Sequence, residues 1–381
     1  MIKRGGRSMK KKILFFIPTL MHGGAEKVLV NLVNYLDKEK YDITLQTLFD
    51  CGINKKFLKT DIKYRSNFKH LIRGNTKLML LFSPEFLYKK LVRYEYDIIV
   101  SFLEGPTARI LSGCPYNGTK KIAWIHIEQH TKKVFAKCFR TFNEAINVYN
   151  SFDKIICVSK TVKKDFERIS QINDKTLVLY NVNDTEKIIE KSKEIITDYE
   201  FQLDIPTFCS VAKITKTKGY DRLARVHKRL IDEGIKHNII IIGKGEDEKK
   251  INLYCKENGI EKTFKLIGFK ENPYKYVVKC DGYICSSLRE GFSTAVTEAL
   301  ILGIPCISTN CSGAYELLGT ENKYGIVVDN DEESLYKGLK RLLISSDLLK
   351  KYKNMAIIRG KYFSTSKTIE AVEDMLAEVL Q

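Results

Sequence analysis

The sequence predicts an α/β protein with two successive domains, each built on a parallel β-sheet. A chain of 381 residues is long enough for two domains that each bury a core. In both halves, short apolar runs alternate with stretches of helical periodicity, which is typical of parallel sheets covered by helices. A polar segment rich in lysine and glutamate, ending at about residue 200, lies between the halves. Two such domains facing each other imply a ligand cleft between them.

Buried strands can be assigned in order along both halves. In the first half we predict strands at 12–18, 41–48, 96–102, 121–126 and 154–159, with a helix from about 25 to 36 after the first strand. In the second half we predict strands at 207–213, 238–244, 264–269, 281–287, 304–309 and 325–329. The stretch 176–184 is interpreted as the start of a crossover between the domains.

Composition excludes several classes of protein. The ten cysteines are scattered, include no C-x-x-C pair, and several lie in apolar strand patterns. They indicate small buried side chains in a reducing compartment rather than zinc ligands or disulfides. No apolar run approaches the roughly 18 residues that span a bilayer, and the basic start leads into a strand-like run that ends at Pro18. We therefore expect a cytoplasmic protein.

Positive charge is concentrated in the first half. Up to Lys175 the chain has 33 lysines and arginines against 16 acidic residues, a net charge of +17, whereas the remainder has 31 against 30. This asymmetry favours an anionic partner: a membrane surface, a phosphate-bearing acceptor or nucleic acid. The aromatic residues lie in apolar runs and no nucleic-acid-binding motif occurs, so nucleic acid is not expected. A basic nucleic-acid-binding α/β protein is kept as an alternative.

Two glutamates, Glu290 and Glu298, mark the most informative stretch of the chain. The pattern puts Glu290 in a strand-to-helix loop and Glu298 on a helix predicted from Thr294 to Leu302, with Ser293 as its N-cap. Loops at the carboxyl ends of parallel strands bind ligands, and the first N–H groups of the next helix attract phosphate. One carboxylate could accept hydrogen bonds from sugar hydroxyls, and the other from a ribose diol. Taken alone, the spacing also suits a loop salt bridge and a solvated glutamate.

The segment LREGFSTAVTEALILGIPCISTNCSGAYELL, residues 288–318, resembles the E-x7-E signature of retaining glycosyltransferases of the GT-B type, family 4. This resemblance implies two Rossmann-like domains facing a central cleft. Residues 1–180 would bind the acceptor, residues 181–366 the nucleotide sugar, and a helix at 367–381 would pack back on the first domain. The implied activity is hexosyl transfer from a nucleotide-sugar donor, most often a UDP-sugar, to a saccharide or polyprenyl-linked acceptor. The anomeric configuration is retained, and the product enters surface polysaccharide.

The family pattern also assigns site residues. Lys213 and Lys218 lie five positions apart in one loop, where the family has an arginine and a lysine near the donor pyrophosphate. His126, at the end of the strand 121–126, matches the active-site histidine of the family, and His22 and His130 are weaker candidates. With Glu290, these two lysines and His126 are the expected catalytic residues. The expected donor-binding residues are Gly23, Gly24, Gly268, Phe269, Phe292, Ser293, Thr294 and Glu298.

Each of these assignments has a structural alternative. The two lysines also suit a lysine-rich surface loop, a histidine at a strand end is often packed in a core, and glycine is common at strand-to-helix turns. Lys213 stands where the family usually has arginine, so bidentate phosphate binding is lost at that position. A transferase-like subunit without activity, which binds a glycan or a partner, is therefore kept as an alternative.

No metal and no cofactor are expected. The Asp-Asn-Asp triplet at 329–331 resembles a metal-binding D-x-D, but its place between a strand and a helix favours an N-cap. No G-x-G-x-x-G motif indicates a nicotinamide. The resemblance implies a same-face transfer, in which the leaving phosphate helps to deprotonate the acceptor and lysines replace a metal ion.

Two basic and apolar stretches, 78–94 and 131–142, bear on the acceptor. In the second, one face of a predicted helix carries Val134, Phe135, Cys138, Phe139 and Phe142. Such a helix lies in a membrane interface or packs on the core of its domain, and the sequence leaves both readings open. On the first reading, the protein is peripheral at the inner face of the cytoplasmic membrane and contacts an anionic lipid surface.

Overall fold

The computed structural model describes residues 9–21, 23–71, 74–202 and 204–381 and divides the chain into two compact units. The first unit extends to Val182 and also includes Thr368–Gln381, and the second is Asn183–Lys367. In the described residues, no helix is long and apolar enough to cross a membrane.

The first unit contains a seven-stranded parallel sheet in the order β3-β2-β1-β4-β5-β6-β7. Its strands are β1 (Lys11–Ile17), β2 (Tyr41–Phe49), β3 (Lys63–Phe68), β4 (Ile98–Phe102), β5 (Lys120–Ile125), β6 (Lys154–Cys157) and β7 (Thr176–Val178). Its helices are α1 (Gly24–Tyr35), α2 (Asn75–Met79), α3 (Pro84–Leu91), α4 (Pro106–Ser112), α5 (Lys132–Phe135), α6 (Phe142–Asn150) and α7 (Lys160–Ser170).

The second unit contains a six-stranded parallel sheet in the order β10-β9-β8-β11-β12-β13. Its strands are β8 (Thr207–Val211), β9 (Asn238–Ile242), β10 (Phe264–Leu266), β11 (Gly282–Cys285), β12 (Cys306–Thr309) and β13 (Ile326–Val328). Its helices are α8 (Thr185–Ser192), α9 (Tyr220–Asp232), α10 (Glu248–Glu257), α11 (Tyr274–Val277), α12 (Thr294–Ile301), α13 (Ala314–Leu318), α14 (Glu332–Leu343) and α15 (Ser346–Tyr362). The last helix, α16 (Thr365–Val379), begins in this unit and continues into the first.

Both sheets have the strand order of a doubly wound Rossmann-like fold, so the predicted fold class is confirmed. Every predicted strand is present, and most are runs buried on both faces; Ile13 to Ile17 of β1, for example, are fully buried. In each sheet the order reverses next to the first strand, between β1 and β4 and between β8 and β11. The crevice outside the carboxyl ends of the strands at such a reversal is where α/β folds bind ligands.

Two strands were not predicted from the sequence. The edge strand β3 has the sequence KYRSNF and is only half-buried, so it lacks the apolar run by which the other strands were assigned. The stretch 176–184, read as a crossover, begins with the three-residue strand β7, which pairs with β6. That part of the prediction was wrong, because a short edge strand has too few residues to show a pattern.

A buried pair of histidines lies beneath the second sheet. His227 Nδ1 and His237 Nε2 are 2.8 Å apart, and His227 Nε2 lies 2.9 Å from Thr263 Oγ1. Both imidazoles are fully buried. Burial lowers the pKa of His227 to about 3, with a further contribution from His237, and burial also lowers the pKa of His237. Both rings are therefore neutral in the folded protein.

We expect this pair to make the fold sensitive to acid. In the unfolded chain the two imidazoles bind protons near their ordinary pKa of 6.5, so the stability from the neutral pair is present above that pH and is lost as the pH falls below it. Each ring costs up to about 1.4 kcal/mol of unfolding free energy per pH unit. Denaturant titrations should give a shallower dependence on pH for a His227→Gln/His237→Asn variant. An unchanged slope would contradict this assignment.

Candidate active site

In the second unit, the loops that follow β8 and β11 are joined into one structure. Leu288 N donates to Thr217 O at 2.8 Å, and Ser286 Oγ donates to Lys218 O at 2.8 Å. Gly219 has φ +66°, and a Cβ at this position would lie 2.3 Å from Ser286 O. Only glycine therefore allows the two loops to approach this closely. The predicted loops thus meet at the reversal of the strand order.

The buried guanidinium of Arg222, on α9, supports the second loop from below. Its Nη2 donates to Ser286 O at 2.6 Å and to Ser287 O at 3.0 Å. The same nitrogen donates to Asn330 Oδ1 at 2.7 Å, and Asn330 Nδ2 donates to Leu288 O at 3.1 Å. Carbonyl groups that would otherwise be unpaired are satisfied, and the backbone before Glu290 is fixed.

Lys218 and Glu290 are in direct contact. Lys218 Nζ donates to Glu290 Oε1 at 2.6 Å, and Ser287 Oγ donates to the same oxygen at 2.6 Å. Both side chains are partly exposed. Burial lowers the pKa of Lys218, but the Glu290 carboxylate more than offsets this, so the pKa is raised above its ordinary value. The pair therefore offers a permanent cation and a hydrogen-bond acceptor at the carboxyl edge of the sheet.

Glu298 lies on α12 and is buried. Tyr274 donates its hydroxyl to Glu298 Oε1 at 3.3 Å. The predicted start of the helix is confirmed: Thr294 is its first residue, and Ser293 Oγ accepts from Val296 N at 3.4 Å. A buried carboxylate with one tyrosine hydroxyl on it can still accept hydrogen bonds from a ligand diol.

The other residues assigned to donor binding differ in their surroundings. Phe292 is buried, and its ring meets that of Phe363 edge-on at 5.8 Å. Gly268 has φ +76° and lines a cavity of about 510 Å³, and Phe269 beside it is 48% exposed. Lys213 is exposed and, in the described part of the chain, has no ion-pair partner. Lys213 is therefore available to bind an anion.

In the first unit, His126 follows β5 and is buried. Burial lowers its pKa to about 3, so the imidazole is neutral. Its ring centroid lies 4.7 Å from that of Phe102, and among the described residues its Nε2 has no hydrogen-bond partner. Glu104, after β4, accepts from the backbone N–H groups of His126 and Ile127, the latter at 2.7 Å. An unpaired, buried nitrogen at the carboxyl edge of the sheet can bind a ligand hydroxyl.

Gly23 and Gly24 lie where β1 leads into α1. Gly23 is the N-cap residue with an extended φ of −157°, and Gly24 begins the helix. A Cβ at Gly23 would come within 2.0 Å of the flexible end of Glu26, so the backbone itself does not require glycine there. Gly52 has the stronger constraint, with φ +118° and a virtual Cβ 2.0 Å from Leu20 O. His22, in the same turn, lies outside the described residues.

Three residues that contact the predicted site residues or their loops were not predicted from the sequence. Glu104 and Arg222 contact residues that are distant in sequence, so no local pattern predicts these contacts. Ser287 contacts Glu290, only three residues further on, but it was assigned to the end of the strand predicted at 281–287. Glu104 had one signal: an acidic residue directly after a buried strand and before Gly-Pro. Such a residue often belongs to the ligand edge of a parallel sheet.

One group of side chains has the composition of a metal site, but its carboxylate has other partners. Glu128, His130 and Asp165 have ligand atoms within 4.8 Å of one another. Asp165, however, accepts from the backbone N–H groups of Gln129 and His130 at 2.6 and 3.0 Å and from Arg168 at 2.5 Å. The cluster therefore fixes a loop. Asp331 caps α14 by accepting from Ser334 N at 2.8 Å, as its position predicted.

The predicted helix at 131–142 is wrong. Thr131 and Thr141 each cap a separate helix, α5 and α6, and α5 has only four residues. Phe135 and Phe139 are buried. Phe135 packs at 5.2 Å from Tyr149, so the apolar face joins the aromatic core of the unit. The segment divides at Thr141, whose hydroxyl accepts from Glu144 N and so begins a second helix. Of the five apolar residues predicted for this face, only Val134 is exposed.

Known proteins resemble both halves of the chain. The profile Glycosyl transferases group 1 matches residues 191–359, and the profile Glycosyltransferase Family 4 matches residues 22–187. A Campylobacter jejuni protein, N-acetylgalactosamine-N,N'-diacetylbacillosaminyl-diphospho-undecaprenol 4-alpha-N-acetylgalactosaminyltransferase, is 30% identical over 367 residues, 94% of this chain and 97% of its own.

A second relative and a solved structure are more distant. The Escherichia coli UDP-Gal:alpha-D-GlcNAc-diphosphoundecaprenol alpha-1,3-galactosyltransferase is 25% identical over 384 residues, 94% of each chain. HepE of Anabaena, whose crystal structure was solved in complex with UDP, has a TM-score of 0.76 and 16% identity over 96% of this chain and 100% of its own.

Proposed function

The chain belongs to the group 1 glycosyltransferases of family 4 and has the GT-B fold. On this basis we propose that it transfers a sugar from a UDP-sugar to a polyprenyl-linked saccharide, with retention of configuration at the anomeric carbon. The relatives from Campylobacter jejuni and Escherichia coli are named as transferases to saccharides on diphosphoundecaprenol, and the latter name includes UDP-Gal. The likeness covers nearly the whole chain. The reaction would extend a lipid-linked saccharide of a surface polysaccharide.

One observation carries the proposal: Lys218 Nζ and Glu290 Oε1 are 2.6 Å apart at the reversal of the strand order. Lys218 would stabilise the negative charge that builds on the leaving diphosphate. Glu290 would accept hydrogen bonds from hydroxyls of the transferred sugar, and Glu298 would bind the ribose diol. Lys213, exposed in the same loop as Lys218, would add a second cation to the diphosphate. Phe292, Ser293 and Thr294 would place the start of α12 against the donor.

In this reaction the bond from the anomeric carbon to the diphosphate oxygen breaks, and a bond from that carbon to the acceptor oxygen forms on the same face. The acceptor proton passes to the leaving diphosphate. No carboxylate is assigned as a covalent nucleophile, because Glu290 is already paired with Lys218 and Ser287. His126 in the first unit offers a neutral imidazole to a sugar hydroxyl. Gly23, Gly24, Gly268 and Phe269 are proposed to contact the donor through backbone and ring surfaces.

Incubation with a panel of nucleotide sugars and a polyprenyl-diphosphate saccharide tests the proposal. We expect release of UDP and an extended lipid-linked product with the α configuration at the new linkage when the donor is an α-linked sugar. Release of no nucleoside diphosphate from any donor would favour the alternative of an inactive, glycan-binding subunit. Salt-sensitive binding of RNA or DNA in place of donor would favour the nucleic-acid alternative.

We further propose that no metal ion is needed. Lys218 and the start of α9 would neutralise the diphosphate charge that a divalent cation neutralises in a metal-dependent enzyme. Transfer should therefore proceed at an unchanged rate after dialysis against EDTA. The prediction would be contradicted if EDTA abolished activity, calcium-saturated EDTA did not, and manganese or magnesium restored the lost activity.

A peripheral position at the inner face of the cytoplasmic membrane completes the proposal. A polyprenyl-linked acceptor is anchored in a bilayer, and the first 175 residues have a net charge of +17. Such a charge favours binding to anionic lipid.

A further inference from the structure

A group of large apolar side chains that lie close together in the sequence is exposed on the first unit. Leu78, Leu81, Phe82 and Phe86 are 53%, 73%, 41% and 44% exposed, and they follow one another through the end of α2 and the start of α3. The rings of Phe82 and Phe86 stack at 5.1 Å. We call these four residues the apolar ledge. Contiguous exposed patches of this kind usually mark a binding surface.

The backbone beneath the apolar ledge is held in place by two arginines. The buried Arg109 donates to Met79 O at 3.0 Å and to Phe82 O at 2.8 Å. Arg140 donates to Leu80 O at 2.6 Å and to Phe82 O at 3.1 Å. Guanidinium groups that bind several carbonyls fix a loop firmly. The four side chains are therefore exposed on a segment whose backbone is fixed by hydrogen bonds.

Basic side chains surround the apolar ledge. Lys77, Lys89 and Lys90 are exposed, and Glu85 is the one acidic residue in the sequence 74–91. On α3, Phe86 shares a face with Lys89 and Lys90, three and four positions further on, while Leu87 and Tyr88 face the core. Lys90 Nζ lies 5.8 Å above the Phe86 ring. An apolar centre with a cationic rim complements the headgroups and acyl chains of anionic lipid.

We propose that the apolar ledge inserts into an anionic phospholipid bilayer, with its rim of Lys77, Lys89 and Lys90 on the headgroups. This inference extends the proposed function, because a polyprenyl-linked acceptor lies in such a bilayer. Arg140 and His126 both lie in the segment between β5 and α6, so the ledge is bound to the segment that carries the proposed site histidine. The apolar residues at 135 and 139, in contrast, are buried in the core.

Vesicle sedimentation tests this inference with the full chain. We expect binding to phosphatidylcholine vesicles that contain about one third phosphatidylglycerol, weak binding to pure phosphatidylcholine, and release by salt. Leu81→Ser/Phe86→Ser should lower the partition coefficient at least about tenfold. Lys77→Gln/Lys89→Gln/Lys90→Gln should lower it roughly a hundredfold, since each basic residue contributes about a factor of five. Transfer to a water-soluble acceptor should be unchanged in both variants.

Helix α10 supplies a matched control in the other unit, because it also carries exposed lysines around an exposed leucine. The control variant is Lys249→Gln/Lys250→Gln/Lys256→Gln with Leu253→Ser, which should bind vesicles like the parent protein. Equal loss in the control would overturn the inference, since net charge alone would then explain binding. Self-association of the parent in sedimentation velocity, abolished by Leu81→Ser/Phe86→Ser, would instead assign the ledge to a second copy of the chain. Thermal melts confirm that each variant folds.

Discussion

Replacing Lys218 by alanine lowers kcat by about two orders of magnitude, as the loss of one charge partner of a transition state commonly does. The ammonium is the cation in contact with Glu290, and its raised pKa keeps it charged at any working pH. Charge accumulates on the diphosphate only as the sugar leaves, so kcat should fall more than the affinity for the donor. Single-turnover release of UDP measures the effect.

Two further variants separate this role from a general one. Lys216→Ala removes an exposed lysine from the same loop and should leave kcat unchanged. Lys218→Arg keeps the charge and should recover part of the rate. A Lys218→Ala enzyme with the turnover of the parent would remove Lys218 from the diphosphate site, and the proposed function would then rest on the family alone.

Replacing Glu298 by alanine weakens binding of UDP by about 1.5–3 kcal/mol, because a buried charge-assisted hydrogen bond to the ribose diol is lost. This corresponds to a rise in Kd of roughly ten- to a hundredfold. Titration calorimetry with UDP measures it without any transfer reaction. Glu298→Gln should show a smaller loss, since the amide oxygen can still accept a hydrogen bond.

For variants at Glu298, the free energy of unfolding must be measured as well as the affinity for UDP. Glu298 is buried and accepts from Tyr274, so the alanine variant also leaves a gap behind α12. Tyr274→Phe removes that contact alone and should retain UDP binding. Glu257→Ala, an exposed glutamate on α10, is the matched surface control. UDP binding by Glu298→Ala as tight as that of the parent would contradict a role for this carboxylate in the donor site.

The fold could be predicted from the sequence where burial on both faces makes a strand continuously apolar. β1 and β9 are such cases, and both were assigned. β3 was missed because an edge strand keeps one side in water and tolerates Lys63 and Arg65. The helix at 131–142 was wrongly predicted because periodicity could not show that two threonine caps divide the segment.

The part of the candidate site that depends on local sequence patterns could be predicted. Glu290, Glu298 and Ser293 lie where strand, loop and cap signals put them, within one stretch of chain. Lys218, the cation that contacts Glu290, comes from another loop and is separated from it by 72 positions in the sequence. Contacts over such separations depend on how the strands are ordered in the sheet, and a single sequence does not contain that order.

The network around Arg222 has a practical consequence for changing donor preference by loop exchange. The loops after β8 and β11 share Gly219, the Ser286 and Ser287 carbonyls and the guanidinium that binds them. If the 286–293 loop of another enzyme were inserted alone, its carbonyl groups would be positioned for the arginine and the glycine of that enzyme. The smallest transferable module is therefore both loops together with Arg222 and Asn330, and a chimaera should exchange the whole segment from the amino end of β8 to Asn330.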